Sequence, residues 1–339
     1  MCIRDSSYGS LACMFASAAA AFEMTPEDVM LPGSSISHIG GFVFSFAALA
    51  TGARVVVART YHDDEILSLL RQQKPTVLSM LPAALLHLVR DKGSLHNDFG
   101  SLRLCRSGAD KVPEELELEF TRLTGLTIDE GYGMTETGLL ASNPPSGTIK
   151  TGSVGQPVPG VSASIRDDNR VELGCETTGR LWVKTGSATI GYWNNSVATD
   201  ELFCDGWLDT GDLMKVDADG YLYFRGRKKQ IIVHDGSNIS PQEVEEALLD
   251  HTAVESAAVV GVHDLMHGEN VRAYITLKEA AVQPTALELI RFARQRIGYK
   301  APEEIEFLDD MPLTATGKID RLSLKQLAEA RHNVNGLAE

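Results

Sequence analysis

The sequence predicts an α/β fold: a sheet-and-helix large domain carrying a β-rich subdomain, followed by a small α+β C-terminal domain. Three observations predict it. Short apolar or β-branched runs alternate with helical patterns as far as Leu123, closely spaced glycines break up shorter strands after Thr151, and strands and helices interleave again past Lys229.

Taken in order, Leu11 to Phe22 is small and apolar and runs into Thr25-Pro26-Glu27-Asp28, whose proline and carboxylates suit a turn, so a helix followed by a loop is expected. Arg54–Ala58 and Thr76–Met80 are strand-like runs on either side of a helical pattern at Asp64–Gln72, a β-α-β unit. A helix over Pro82–Val89, a strand over Leu102–Arg106 and a helix over Pro113–Leu123 continue the rhythm. Glycines at 152, 155, 160, 174, 179, 186 and 191 then mark the β-rich part. The polar turn Asp217–Gly220, the run Tyr221-Leu222-Tyr223-Phe224 and the basic cluster Arg225–Lys229 place a boundary, giving a large domain over 1–228 and a small one over 229–339. In the small domain, strands are expected at Ile231–Val233, Ala257–Val262, Arg272–Leu277 and Ile305–Leu308, with helices at Pro241–Asp250 and Ala286–Arg296.

The 339 residues suffice for two cores, and 43% hydrophobic with 23% charged residues is ordinary globular usage. No run is apolar enough to span a bilayer, so no transmembrane segment is expected. A net charge of -15 repels a phosphate backbone, which argues against nucleic acid as a partner and leaves any anionic ligand to a few local cations. Five scattered cysteines form neither a C-x-x-C pair nor a disulfide framework, which fits a reducing cytoplasm. Residues 1–6, MCIRDS, match nothing that follows and read as a cloning or assembly remnant.

Four segments carry chemistry. In Asp129-Glu130-Gly131-Tyr132-Gly133-Met134-Thr135-Glu136-Thr137-Gly138, two glycines flank an aromatic, so the backbone can approach a flat ligand while a hydroxyl and a carboxylate follow. The same residues also suit a strand-ending turn with a helix N-cap at Thr135. In Gly206-Trp207-Leu208-Asp209-Thr210-Gly211-Asp212-Leu213, Asp212 offers two acceptor oxygens to vicinal hydroxyls, or is simply part of a Gly-Asp turn. The cluster from Phe224 to Ile232, with Arg227 and Lys229, can meet phosphate or protect an edge strand, and Ser240-Pro241 is good helix-start chemistry. In Pro312-Leu313-Thr314-Ala315-Thr316-Gly317-Lys318-Ile319-Asp320-Arg321, Lys318 beside a glycine on an extended loop can reach an anionic centre. The pair His263 and His267 has i,i+4 spacing but lies between a strand and a turn, and no metal role is expected of it.

In order and spacing these segments resemble the adenylate-forming (ANL) superfamily of acyl-CoA synthetases, peptide-synthetase adenylation domains and beetle luciferases, from Ser7 to about Ala330. The resemblance implies an ATP-dependent carboxylate–CoA ligase that makes an acyl-adenylate and pyrophosphate, then acyl-CoA and AMP, with ATP/AMP, Mg²⁺ and coenzyme A as cofactors or co-substrates. It implies that Glu130, Gly131, Tyr132, Gly133 and Met134 bind nucleotide, Tyr132 near adenine. Thr135 would contact the α-phosphate and Glu136 would hold Mg²⁺. By the same resemblance Ser107-Gly108-Ala109 lines the adenine and acyl pockets, Asp212 binds ribose, and Arg227 contacts ribose or phosphate. Lys318 would stabilise the adenylation transition state, Lys229 would mark a hinge, and His38 would border the acyl site.

The chain departs from the family pattern at Gln230, where many relatives carry an acidic residue, and at Asn238, where some short-chain members carry an arginine. The family's phosphate loop is expected just before Ser7 and is not in the sequence, so the chain reads as a fragment whose large domain is incomplete and whose isolated activity is lost. A carrier-protein thiol as acyl acceptor, or a non-catalytic nucleotide-binding remnant, are the alternatives. The acid and the oligomeric state stay open.

Overall fold

A computed structural model of the chain describes residues 3–90, 93–108, 112–264, 266–278, 282–314 and 318–335. The chain divides into two compact units, the first formed by Met1–Thr210 with Met214–Phe224, the second by Gly211–Leu213 with Arg225–Glu339.

The first unit is organised by a seven-stranded sheet in the order Arg54–Val55, Val29–Pro32, Val77–Met80, Leu104–Gly108, Ile128–Met134, Gly138–Ser142, Gln156–Pro157. The first five strands are parallel, Gly138–Ser142 pairs antiparallel with Ile128–Met134, and Gln156–Pro157 pairs antiparallel with Gly138–Ser142. The strands Val29–Pro32 and Val77–Met80 are mainly apolar because both faces are covered. Val77 and Leu104 point to the face packed by helices Tyr8–Ala21 and Ile39–Ala50, where Met14, Phe22, Val43 and Ala47 are buried. Their neighbours Leu78 and Cys105 point to the other face, packed by Asp63–Gln73, Pro82–Arg90 and Glu114–Thr124 through Ile66, Leu70, Leu85, Leu116 and Phe120. The period of two along each strand therefore assigns alternate residues to two separate cores.

The glycine-spaced region forms a second, five-stranded sheet. Its strands run in the order Phe203–Cys204, Trp207–Val216, Gly179–Thr185, Val161–Arg166, with Leu222–Arg227 paired to Trp207–Val216. Lys150 ties the turn before the last of these: its Nζ lies 2.6 Å from both Asp217 and Asp219 carboxylates and 4.5 Å from the Tyr221 ring centroid.

In the second unit, the hairpin of Val254–Asp264 with Gly268–Leu277 is joined by Glu304–Phe307, parallel, and by the short hairpin Ile232–His234 with Ser237–Ile239. Helices Pro241–Leu249 and Ala286–Ile297 close one face over Val259, Ala273 and Ile275. The opposite face, Ala258, Val260 and Tyr274, is closed by Leu324 and Ala328 of helix Arg321–Asn335.

Several expectations are corrected. Thr135 caps no helix: Thr135–Thr137 is the turn of a hairpin, because Gly138 at φ 72° returns the chain immediately into the strand Gly138–Ser142. Ser240 precedes a helix with Pro241 in its first turn, yet its hydroxyl makes no cap and donates instead to the Arg225 carbonyl at 2.9 Å. The segment at Lys318 is not extended. Thr314 N–H donates to the Lys318 carbonyl at 2.7 Å and Leu313 pairs with Ile319, so the chain doubles back there. The helix Arg321–Asn335, absent from the sequence reading, follows directly; its polar residues masked the two apolar positions that pack.

Candidate active site

At the C-terminal ends of the parallel strands in the first unit lies a cavity of about 680 Å³, its open mouth included. This is where an open parallel sheet exposes backbone groups and loop side chains together. Ile39, Val43, Phe44, Met80, Leu81 and Leu139 make its wall apolar. Ser107, Gly108, Gly131, Tyr132, Gly133 and Met134 line it, and His38 does so from the residue before helix Ile39–Ala50. His38 has extended backbone angles and caps nothing with its side chain.

Two glycines here are fixed by close approach. A Cβ on Gly108 would stand 2.4 Å from the Gly131 carbonyl oxygen, and one on Gly133 would stand 2.3 Å from that of Gly138. Neither contact is one that a side chain can make, so the strands meet at the cavity only because these positions carry none. Ser107 is buried and donates to the Met80 carbonyl at 2.9 Å, which pins the rim strand to its neighbour. The Tyr132 ring is 9% exposed, with the Phe224 ring 6.3 Å away. Ala109 lies outside the described residues.

The hairpin turn carries the next two candidates. Thr135 is exposed, whereas Glu136 is 4% exposed. Glu136 Oε1 accepts from the Tyr192 hydroxyl and from Arg4 Nε, each at 2.9 Å. Glu130 sits one residue before the glycine pair, and its carbonyl accepts weakly from Asn143 at 3.5 Å. Asp212 and Arg227 are brought together in the second unit: Arg227 Nε stands 3.0 Å from Asp212 Oδ1, with the carboxylate buried and the guanidinium 57% exposed. Lys229 lies in the single turn Lys228–Gln230 and is exposed, and Lys318 is half-buried in the doubled-back segment.

One pair at the cavity escaped the sequence reading. Arg106 Nη1 meets Asp129 Oδ2 at 2.8 Å, and the two side chains are 3% and 1% exposed. Arg106 lines the cavity and stacks 4.1 Å over the Phe22 ring. Burial pushes the Asp129 carboxyl up, against the pull of Arg106 and of Asn143. Arg106 and Asp129 are register partners on neighbouring strands, a pairing that no local pattern encodes.

The chain belongs to the AMP-binding enzyme family, whose pattern matches residues 6–193, with the C-terminal domain of the same family matching residues 243–318. It is 36% identical over 290 residues to a long-chain-fatty-acid–CoA ligase of Bacillus subtilis, covering 85% of this chain and 52% of that one. An indoleacetate–CoA ligase of Aromatoleum aromaticum is 32% identical over 95% of this chain and 63% of its own. The crystal structure of ATP-bound MatB from Rhodopseudomonas palustris superposes with a TM-score of 0.89 at 30% identity, covering 95% of this chain and 64% of that one. The chain thus spans about half the length of the Bacillus relative and somewhat more of the others. Among the described residues no helix is long and apolar enough to cross a membrane.

Proposed function

We propose that the chain supplies the acid pocket, most of the nucleotide site and the mobile small domain of an ATP-dependent carboxylate–CoA ligase working in the cytoplasm. The observation that carries this reading is the cavity: an apolar chamber whose rim is made of the backbone of Gly108, Gly131 and Gly133, so that an apolar acid and a flat nucleotide can approach one strand edge from two sides.

A carboxylate is a poor electrophile, and joining it to the α-phosphate of ATP makes a mixed anhydride that a thiolate can attack. Charge gathers on the phosphate as pyrophosphate leaves. Lys318 is the point charge proposed to meet it, with Thr135 donating to an α-phosphate oxygen. Asp212, whose buried carboxylate stands against Arg227 Nε, is suited to accept from ribose hydroxyls while Arg227 balances its charge. Mg²⁺ held mainly by phosphates and water needs one protein carboxylate, and the single buried Glu136 fits that need once Arg4 leaves its Oε1. The ion would neutralise phosphate charge. The two half-reactions need different groups beside one carbonyl carbon, and Lys229 is proposed as the hinge at a boundary near 228/229 about which the small domain exchanges them. The named CoA ligases among the relatives favour coenzyme A over a carrier-protein thiol.

Calorimetry with AMP and ATP tests the nucleotide half. Asp212→Ala weakens both, since both carry the ribose; Glu136→Ala weakens only binding that depends on Mg²⁺. Equal AMP affinity in wild type and Asp212→Ala removes the ribose role.

A further inference from the structure

Away from the cavity, the second unit holds a cluster of ligand-type side chains that the reaction above does not use. His234, Asp235 and His267 each offer one ligating atom, and the three atoms lie within 4.8 Å of one another. The sequence spacing singled out His263 with His267, but His263 is exposed on the neighbouring strand and does not belong to the cluster. The fold instead brings two turns together. One is the tight Asp235-Gly236 turn between Ile232–His234 and Ser237–Ile239, both residues at positive φ. The other carries Met266 and His267, whose N–H groups Asp264 Oδ1 accepts at 2.9 Å each. The Asp235 N–H donates to the His267 carbonyl at 2.9 Å, which locks one turn to the other.

The side chains are oriented for ligation. The His234 ring faces the Glu269 carbonyl through Nδ1 at 2.7 Å; a carbonyl only accepts, so the proton is on Nδ1 and the lone pair on Nε2. A backbone carbonyl fixing the tautomer in this way is the usual outer-shell partner of a ligating histidine. Nε2 points at Glu303 Oε1, 3.5 Å away, and Asp235 Oδ2, 3.7 Å away. Glu303 is fixed in turn by the Val271 N–H on its other oxygen, at 2.6 Å. His267 Nδ1 stands 2.8 Å from Asp235 Oδ1, which only accepts, so Nδ1 carries a proton that a bound ion would displace, and the two imidazoles stack with centroids 5.1 Å apart. Donor atoms on a tetrahedral ion with bonds of about 2.0–2.1 Å lie roughly 3.3 Å apart, and the ligand atoms of His234, Asp235 and His267, within 4.8 Å of one another, would have to close inward by about 1.5 Å at most to hold one.

We propose that His234 Nε2, His267 Nδ1, Asp235 and Glu303 form a binding site for one divalent transition-metal ion of the zinc type, clamping the turn Asp235-Gly236 to the turn that carries Met266 and His267. Two imidazoles and two carboxylates select Zn²⁺, Cu²⁺ or Ni²⁺ over Mg²⁺ and Ca²⁺, which prefer all-oxygen sets. The site lies in the second unit, and the Mg²⁺ proposed at Glu136 lies in the first.

The test uses the whole chain and the ion alone. Competition with a chromophoric Zn²⁺ indicator should give one saturable site that excess Mg²⁺ does not displace. His234→Ala and His267→Ala should each weaken it by about tenfold or more, and Glu303→Gln by less, while His263→Ala leaves it unchanged. Co²⁺ should show the intense visible d–d bands of a tetrahedral site without thiolate charge-transfer absorption, a reading on wild type that does not depend on any variant folding. Absence of a saturable Zn²⁺ site, retention of it in both histidine variants, or thiolate bands that place the metal on cysteine would each overturn the proposal.

Discussion

Arg106 and Asp129 face each other across adjacent parallel strands, register partners with Nη1 and Oδ2 2.8 Å apart and both side chains almost wholly out of water. Such a pair holds little net stability against an apolar replacement but is costly to break, because the survivor is a buried charge with no counter-ion. Asp129→Ala should therefore destabilise the first unit by about 3–5 kcal/mol in urea unfolding, whereas Arg106→Met with Asp129→Leu together should come close to wild type. Equal losses for the single and double variants would show that the pair does not act as a unit.

The glycine rim gives a sharper prediction. Gly133→Ala places a methyl 2.3 Å from the Gly138 carbonyl oxygen, so the hairpin that carries Thr135 and Glu136 has to open. Nucleotide affinity should fall together with melting temperature. Gly125→Ala is a useful contrast, since a Cβ there meets nothing within 4 Å but φ is 78°: it should cost stability through backbone strain alone and leave nucleotide affinity intact.

How much of this was legible beforehand differs by element. The β-α-β rhythm is readable because strands buried on both faces, such as Val29–Pro32 and Val77–Met80, are mostly apolar, and Gly133 stands where the neighbouring strand's backbone leaves no room for a Cβ. Between the two readings of the segment at Thr135 the residues do not decide, because a threonine and a glutamate serve a cap and a tight turn equally well, and only Gly138 at positive φ shows the turn. Arg106 with Asp129, and His234 with His267, stayed hidden for a common reason. Each is a contact between segments distant in sequence, set by strand register or by the meeting of two turns, and no local pattern encodes it.

Acid sensitivity should trace in part to Asp28. The carboxylate is buried, which alone would raise its pKa, but hydrogen bonds from Arg103, Thr76 and the Thr25 N–H bring it down to about 2 from 3.8. A depressed folded-state pKa means that its contribution is complete above the unfolded value and is lost as pH falls from about 4 through about 2. The loss amounts to about 2 kcal/mol. Between those pH values the stability of Asp28→Asn should fall less steeply than that of wild type. Parallel curves would assign the acid transition to other carboxylates.

The last prediction concerns how Lys318 is held. Three residues after it, Arg321 begins the final helix and clasps Glu245 with both guanidinium nitrogens, Nη2 to Oε2 at 2.9 Å, while Nη1 also donates to the Val259 carbonyl at 3.0 Å. Glu245 is itself fixed by the Val259 N–H at 2.7 Å. The base of the Lys318 turn is thus anchored to the small sheet by one buried carboxylate. In a ligase carrying this chain with its N-terminal part restored, Lys318→Ala should lower pyrophosphate release from ATP and acid by roughly a hundredfold, the scale of losing a transition-state charge contact, with AMP affinity unchanged. Glu245→Gln should give a smaller loss in the same step by letting the anchored turn shift. Transfer of an acyl group from pre-formed acyl-adenylate to the thiol should be spared in Lys318→Ala, because no charge builds on pyrophosphate there. Loss of both half-reactions to the same extent in Lys318→Ala would mean that the lysine serves the fold of the turn and not the chemistry of the first step.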